Sequence, residues 1–238
     1  MSSAYLLVSH GSRDPRPEIA MQQLAELVRE KLQSYQNQLV GTAYLELNPQ
    51  PLHEQIKQFA QQALIVGCDR LKIVPLFLLS GVHVMQDIPA EVALAQQALG
   101  QDIIISLQPY LGTHPDLGYL LAKHMVAHHS AAGILLAHGS RRPDSLAPVE
   151  AIAASLGAVA AYWAVPPSLE SRVKQLIAGG KREIVIIPYF LFAGGITDAI
   201  AQSVEALKLQ LPVVNFHLAQ PLGATPEIAA IIWDLIDK

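Results

Sequence analysis

Leu6-Leu7-Val8-Ser9-His10-Gly11-Ser12-Arg13 returns later in the chain as Ile134-Leu135-Leu136-Ala137-His138-Gly139-Ser140-Arg141. In each copy an apolar run ends at a histidine and a glycine, a pattern typical of a buried strand followed by a turn. The chain around each copy follows the same order of apolar runs and amphipathic segments. The sequence therefore predicts an internal duplication, with an N-terminal domain at residues 1–130 and a C-terminal domain at residues 131–238.

Each repeat alternates strand-like and helix-like segments, as in a doubly wound fold. Continuous apolar runs such as Ile184 to Ile187 lack polar alternation, which favours parallel strands covered by helices on both faces. We therefore predict an α/β fold of two tandem doubly wound parallel-sheet domains. The predicted strands are Ala4–Ser9, Gly41–Leu47, Leu71–Leu78, Ile103–Leu107, Gly133–Ala137, Ala158–Val165, Glu183–Phe190 and Val213–His217.

The composition excludes several classes of protein. Of the 238 residues 51% are apolar, yet no apolar run is long enough to cross a membrane. The net charge of −4 gives no basic surface of the kind that binds nucleic acid, and a single cysteine, Cys68, excludes an internal disulfide. The N-terminal residues do not form a secretory signal, so we expect a cytoplasmic protein. Internal duplication reduces the need to dimerise, which favours a monomer or a weak homo-oligomer.

Three polar residues of the first repeat stand at the ends of predicted strands. His10 follows the first strand, Glu46 lies at the end of the second, and His83 follows the third. Because ligands bind at the carboxyl ends of the strands in open α/β sheets, we expect these side chains to converge. Two imidazoles and a carboxylate form a plausible open site for a divalent metal. The sequence therefore predicts a metal site in the first repeat.

The second repeat does not keep this set. It retains His138, but Ala164 takes the place of the carboxylate, and the turn Gly194-Gly195-Ile196 offers no second histidine. One site, in the first repeat, is therefore expected.

The remaining histidines do not form a comparable set in the sequence. His124 and His128 have the i, i+4 spacing that could place them on one helix face and hold metal loosely, but with His129 we interpret them as an exposed polar helix end. His53, His114 and His217 are expected to be structural.

No dinucleotide, P-loop or serine-hydrolase signature is present, so no nucleotide cofactor is expected. The His-Gly pair leaves open a histidine-dependent phosphohydrolase that would use His10 covalently and would not depend on His83. Ser9 and Ala137 stand where such chemistry normally wants an arginine. A metal carrier without turnover is the other open alternative.

An ordered set of segments resembles the sirohydrochlorin chelatases, class II tetrapyrrole chelatases, in their double-length form. The resemblance rests on His10-Gly11-Ser12-Arg13, Ala43-Tyr44-Leu45-Glu46, Val74-Pro75-Leu76-Phe77-Leu78 with Gly81-Val82-His83, and Pro109-Tyr110-Leu111-Gly112. It implies a lyase that inserts Fe²⁺ or Co²⁺ into sirohydrochlorin, in siroheme or cobalamin biosynthesis, with the metal as substrate. By the same likeness His10 and His83 would hold the metal, and Glu46 would assist with metal or proton handling. A tetrapyrrole carrier with the same pocket but without turnover stays open as an alternative.

Sirohydrochlorin is a polycarboxylate, so its binding surface should present hydrogen-bond donors. We assign ring binding to Arg13, Ser12, Gly81, Val82 and Arg141, with Arg142 as a further candidate. Apolar residues of the loop after the third strand could pack on the ring face: Leu79, Val82, Val84 and Met85. The second repeat is expected to close a single cleft.

Overall fold

The computed structural model describes residues 2–32, 39–128, 131–141 and 146–237. Within these ranges the first repeat forms a four-stranded parallel sheet from β1 (Ser3–Ser9), β2 (Val40–Tyr44), β3 (Arg70–Pro75) and β4 (Ile104–Leu107). The strand order is β2-β1-β3-β4. The second repeat repeats this order, β6-β5-β7-β8, with β5 (Ala132–Ala137), β6 (Ala158–Tyr162), β7 (Glu183–Pro188) and β8 (Asn215–Leu218).

Helices connect the strands in both repeats. They are α1 (Pro15–Leu32), α2 (Leu52–Ile65), α3 (Ile88–Leu99), α4 (Asp116–Val126), α5 (Ala147–Ser155), α6 (Leu169–Ala178), α7 (Gly195–Gln210) and α8 (Pro226–Ile236). One turn of π-helix, His83–Asp87, leads into α3, and a short 3₁₀ turn spans Leu111–Thr113. In the part of the chain described, no helix has both the length and the apolarity needed to cross a bilayer. The predicted fold class is confirmed.

Burial on both faces of the sheet explains the uninterrupted apolar strands. In β1, Ala4, Leu6 and Val8 belong to a core cluster that also contains the inner faces of α2 and α3. Tyr5 and Leu7, which point to the opposite face, are buried as well. A parallel strand covered on both sides has no solvent-facing positions, so polar alternation is absent.

Four of the predicted strands, the second and third of each repeat, continue past the carboxyl ends of the observed ones. β3 ends at Pro75 rather than Leu78, and β7 ends at Pro188 rather than Phe190. In β3 the last ladder bond runs from the Leu76 amide to the Val8 carbonyl at 2.7 Å. Beyond that point β1 itself ends, so the apolar residues that follow have no partner strand and turn into the connecting loop.

The compact units do not follow the predicted boundary at residue 130. One unit comprises residues 1–114 and 224–238, and the other comprises residues 115–223. The physical reason is that α8 packs on α1 and β3, whereas α4 packs on β7. The last helix of each repeat is therefore part of the unit built on the other repeat's sheet.

Helix α8 should consequently stabilise the first unit, although it is encoded at the end of the second repeat. Ile232 of α8 is fully buried, whereas Ile65, at the end of α2, is 84% exposed. We expect Ile232→Ala to lower the free energy of unfolding by about 2–5 kcal/mol, and the control Ile65→Ala to change it by less than about 0.5 kcal/mol. Urea denaturation followed by circular dichroism measures both. Equal small losses would contradict the packing of α8 in a core.

Candidate metal centre

The pairing of β1 with its two neighbours brings the three predicted ligands to one sheet edge. The backbone ladder between β1 and β2 continues past both strands: the Leu45 amide bonds the Ser9 carbonyl, and the Glu46 amide bonds the His10 carbonyl, each at 2.9 Å. Glu46 is thereby fixed beside His10. His83 reaches the same edge from the loop that follows β3, on the other side of β1.

The three side chains converge on a small volume. His10 Nε2 lies 3.8 Å from Glu46 Oε2, and His83 Nε2 lies 3.9 Å from Glu46 Oε1. One ligand atom from each residue falls within 4.8 Å of the other two. These gaps are too long for hydrogen bonds but suit atoms that share one cation, since metal–ligand bonds are about 2.0–2.2 Å. The predicted convergence is therefore observed.

Hydrogen bonds fix the tautomer of both imidazoles. His83 Nδ1 lies 2.8 Å from Asp87 Oδ2, and His10 Nδ1 lies 3.3 Å from the Gly11 carbonyl oxygen. A carbonyl and an ionised carboxylate can only accept, so the proton is assigned to Nδ1 in both rings. In the neutral ring each Nε2 then presents its lone pair toward Glu46, which is the tautomer that a metal ligand requires.

Asp87 is a functional candidate that the sequence reasoning missed. It stands four residues after His83 on the π-helical turn, and this spacing places the two side chains on one face. A carboxylate behind a ligating histidine orients the ring and raises its basicity. The sequence signal for this pair is the His-x-x-x-Asp spacing. It was missed because the segment was predicted to belong to the loop after the third strand.

Two backbone positions shape the turns that carry the ligands. Gly11 has a φ of +94°, and a Cβ atom there would lie 2.1 Å from the Glu46 carbonyl oxygen. Leu47, directly after Glu46, has a φ of +58°, which is uncommon for a residue with a side chain. Close approach of the first turn to Glu46 therefore requires glycine, and the second turn stores strain beside the site.

The site is open to solvent. The side chains of His10, Glu46 and His83 are 48%, 49% and 34% exposed. Glu46 and Asp87 also border a groove of about 320 Å³ between the starts of α2 and α3. A cation held by these three residues would keep coordination positions free for water or for an incoming ligand.

Four of the predicted ring-binding residues, Ser12, Arg13, Gly81 and Val82, lie in the turns that carry His10 and His83. Ser12 Oγ accepts a hydrogen bond from the Asp14 amide at 3.0 Å, so it also braces the turn, and Arg13 is exposed. Gly81 and Val82 are half-buried in the loop before His83. Val84 is only 8% exposed because it packs inward from the π-helical turn, which favours core packing for this residue over contact with a ring face.

Three further arginines near the two His-Gly motifs differ in whether they are available to bind a ring carboxylate. Arg16 hydrogen-bonds Asp14 through its side chain and its amide, and these bonds, the side-chain ones first, hold the pKa of Asp14 at about 2. The Arg16 side chain is therefore held by Asp14 in the turn before α1. Arg141 is exposed in the second unit, and Arg142 lies outside the described residues.

The second repeat keeps the backbone of the site but only one of the three ligand residues, His138. The Ala164 amide bonds the His138 carbonyl at 2.9 Å, the same bond that joins Glu46 to His10. Matching the prolines that end β3 and β7 places Ile196, in the first turn of α7, at the position of His83. The described structure therefore agrees with the prediction that this His-Glu-His set is confined to the first repeat.

These observations define the class: a tandem parallel α/β protein with a two-histidine, one-carboxylate cluster at one sheet edge. The CbiX family model matches residues 4–127 and again residues 132–238. The chain belongs to the CbiX family, and both the predicted family and the predicted duplication are confirmed.

Curated relatives extend over nearly the whole chain. A sirohydrochlorin cobaltochelatase of Priestia megaterium is 24% identical, over 98% of this chain and 78% of its own length. A sirohydrochlorin ferrochelatase of Bacillus subtilis is 25% identical, over 96% of this chain and 88% of its own length. Relatives of similar identity thus carry names for two different metals.

Solved structures share the fold. SirB from Bacillus subtilis with Fe³⁺ superposes with a TM-score of 0.76 at 23% identity, covering 100% of this chain and 95% of that one. CbiX, described as the terminal enzyme for biosynthesis of siroheme in denitrifying bacteria, gives 0.67 at 23% identity, with 98% of both chains covered. The tandem architecture is therefore that of known chelatase structures.

The close approach at Gly11 can be tested with a matched glycine. Gly11→Ala should displace the turn that carries His10, because its new methyl group would collide with the Glu46 carbonyl, and we expect Co²⁺ affinity to fall. Gly67 has a similar φ of +84° but open space around it, so Gly67→Ala should add only backbone strain. Calorimetric Co²⁺ titration measures both variants. Equal losses of affinity would mean that the collision is irrelevant to the site.

The role of Asp87 gives a second test. Asp87→Ala should weaken Co²⁺ binding by about 10-fold, the low end of the effect of such supporting carboxylates, because Asp87 is 43% exposed. Asp102→Ala, which removes an exposed carboxylate elsewhere, is the control. The same titration serves, and unchanged affinity in Asp87→Ala would remove it from the site.

Proposed function

We propose that this chain is a sirohydrochlorin chelatase, a lyase that inserts Fe²⁺ or Co²⁺ into sirohydrochlorin and uses His10, Glu46 and His83. The single observation that carries the proposal is the convergence of three ligand atoms within 4.8 Å at an exposed sheet edge. The names of the relatives support the ring and the two metals. The proposed reaction exchanges one divalent cation for two protons and includes no redox or phosphoryl-transfer step, so no nucleotide cofactor is part of the proposal.

Metal capture follows from the ligand set. Neutral imidazoles are good ligands for Fe²⁺ and Co²⁺, and Glu46 adds one negative charge that favours a cation over water alone. In the neutral tautomer with the proton on Nδ1, both Nε2 lone pairs are available to the metal. Among the described residues the cluster provides three protein ligands, and the ring nitrogens can replace water one at a time.

Proton handling falls to the same groups. Two N–H protons leave the ring as the metal enters it, and each needs an acceptor within hydrogen-bond reach. The two Glu46 oxygens face different histidines, so release of the metal to the ring frees a carboxylate oxygen and two imidazole lone pairs at the reaction centre. We propose that these groups accept the protons and pass them to solvent across the exposed edge.

Ring binding is proposed for the residues that flank this centre. Exposed Arg13 would pair with a ring carboxylate in the bidentate manner that guanidinium groups favour, and Arg141 would contribute a second such contact. Ser12 can still donate its hydroxyl proton while it accepts from Asp14. Gly81 has open space where a Cβ would stand, and with Val82 it would offer a flat approach to the ring.

We further propose that the chain works in the cytoplasm as a monomer or weak homo-oligomer, without nucleic acid as a partner. The internal duplication supports a single chain as the working unit, since both repeats of the family are already present. The idea that the second repeat closes over the ring stays a prediction.

An anaerobic absorbance assay with sirohydrochlorin and either Fe²⁺ or Co²⁺ tests the function. We expect catalytic conversion by the wild type, a loss of more than about 100-fold in His83→Ala, and little change in the matched control His138→Ala, because a lost ligand should exceed the effect of a lost supporting group. A single spectral shift in proportion to protein would indicate a carrier instead. Phosphate release from simple esters, unaffected by His83→Ala, would favour the phosphohydrolase.

A further inference from the structure

The second unit contains a second group of metal-ligating side chains. They lie toward the amino edge of its sheet, whereas the His-Gly motif follows the carboxyl edge. His128 lies in the turn after α4, Glu183 is the first residue of β7, and His217 is in β8. One ligand atom from each falls within 4.8 Å of the other two. Glu183 begins its strand, whereas His138 follows the end of β5, so this cluster lies toward the amino edge of the sheet, away from the second copy of the His-Gly motif.

These residues modify two sequence interpretations. His128 was predicted to belong to an exposed polar helix end, whereas it is half-buried and lies in the turn after α4, which ends at Val126. His128 instead stacks on His217, with ring centroids 4.1 Å apart and planes 27° from parallel. His217, expected to be a structural residue, is therefore part of a cluster. His129 lies outside the described residues.

The environment of His217 points to a ligand. Its Nε2 atom is shielded from solvent and has no hydrogen-bond partner among the described residues. Glu183 Oε1 lies 3.4 Å from this nitrogen, close enough for an ion pair but without the alignment of a hydrogen bond. Buried polar atoms in native structures are normally hydrogen-bonded or bound to an ion or water. Two stacked imidazoles next to a carboxylate also repel one another when protonated but can share a cation when neutral.

The cluster is not a remnant of the duplicated site. In the sheet pairing Glu183 faces Asn215, and in the first repeat Arg70 faces Ile104 at the matching place. The positions that correspond to Glu183 and His217 are therefore Arg70 and Ser106. The first repeat has neither the carboxylate nor the imidazole at these two positions, so Glu183 and His217 have no counterparts in the first sheet.

We propose that His128, Glu183 and His217 form a second divalent-cation site, distinct from the substrate site. Two imidazoles and one carboxylate select a borderline first-row cation such as Zn²⁺ or Co²⁺ rather than Mg²⁺ or Ca²⁺, which prefer oxygen ligands. A cation bound there would join the segment after α4 to the adjacent strands β7 and β8. Because the site would exist only in the folded protein, the bound cation stabilises the second unit by linkage.

Cobalt stoichiometry tests the site without any tetrapyrrole. Protein stripped of metal and desalted is titrated anaerobically with Co²⁺, and the bound metal is counted after equilibrium dialysis. We expect two equivalents for the wild type, one for His10→Ala/His83→Ala, and one for Glu183→Gln/His217→Gln. The matched control His138→Ala, another histidine of the second unit, should keep both. Glu183→Gln alone keeps the side-chain shape, and it should also lose one equivalent.

A thermal measurement separates this site from the proposed chelatase activity. Added Zn²⁺ should raise the melting temperature of His10→Ala/His83→Ala, but it should not raise that of the same variant with Glu183→Gln added. Glu183→Gln alone should insert metal into sirohydrochlorin at the wild-type rate. If His10→Ala/His83→Ala binds no Co²⁺, or if Glu183→Gln keeps both equivalents, the second site is refuted. Neither outcome depends on the identity of the substrate, so a failed chelatase assay leaves this test intact.

Discussion

The position of β1 between two parallel neighbours is the constraint on which the candidate metal centre depends. Parallel strands end at the same sheet edge, so residues distant in the sequence meet there without any attraction between their side chains. The backbone bond from Glu46 to the His10 carbonyl then sets the spacing of two of the ligands. The second repeat shows that this geometry belongs to the backbone, because Ala164 makes the same bond to His138 with no carboxylate to position. Ligands can therefore be lost or kept on this scaffold without loss of the fold.

A chelatase needs a site that binds a cation and then gives it up, and the observed ligand set is suited to both steps. The two histidines are unequal donors. His83 is held by a carboxylate at 2.8 Å, which raises its basicity, whereas His10 is held by a carbonyl oxygen at 3.3 Å. We therefore expect the bond from His10 to be the weaker and to break first as ring nitrogens compete for the metal. Half-exposed ligands keep this exchange possible, because water and ring nitrogens can both reach the cation.

The sequence was sufficient for the parts of the fold and site that depend on local pattern and on strand ends. The doubly wound repeats, the convergence of His10, Glu46 and His83, and the absence of this set from the second repeat all follow from apolar runs and the residues that terminate them. The exchange of α4 and α8 between the compact units could not be predicted, since the amphipathic pattern of a helix does not specify which sheet it covers. Asp87 was missed because a helical turn was taken for a loop. His217 was missed because its partners come from distant segments, and strand pairing alone brings Glu183 beside it.

Divergence of the two repeats has a physical logic when the two clusters are compared. At the carboxyl edge of the first sheet the ligands are exposed, and their turns are shaped by Gly11 and Leu47. The proposed reaction requires the cation to leave this site for the ring. At the amino edge of the second sheet the Nε2 atom of His217 is shielded and its ring is stacked on His128, whereas the side chains of His217 and Glu183 are 37% and 38% exposed. A cation there would therefore meet one enclosed nitrogen and one carboxylate that water still reaches. Both clusters use two imidazoles and one carboxylate, so ligand identity alone does not distinguish them. The access of solvent to the histidine nitrogens does, because Nε2 of His217 is enclosed whereas the side chain of His10 is 48% exposed.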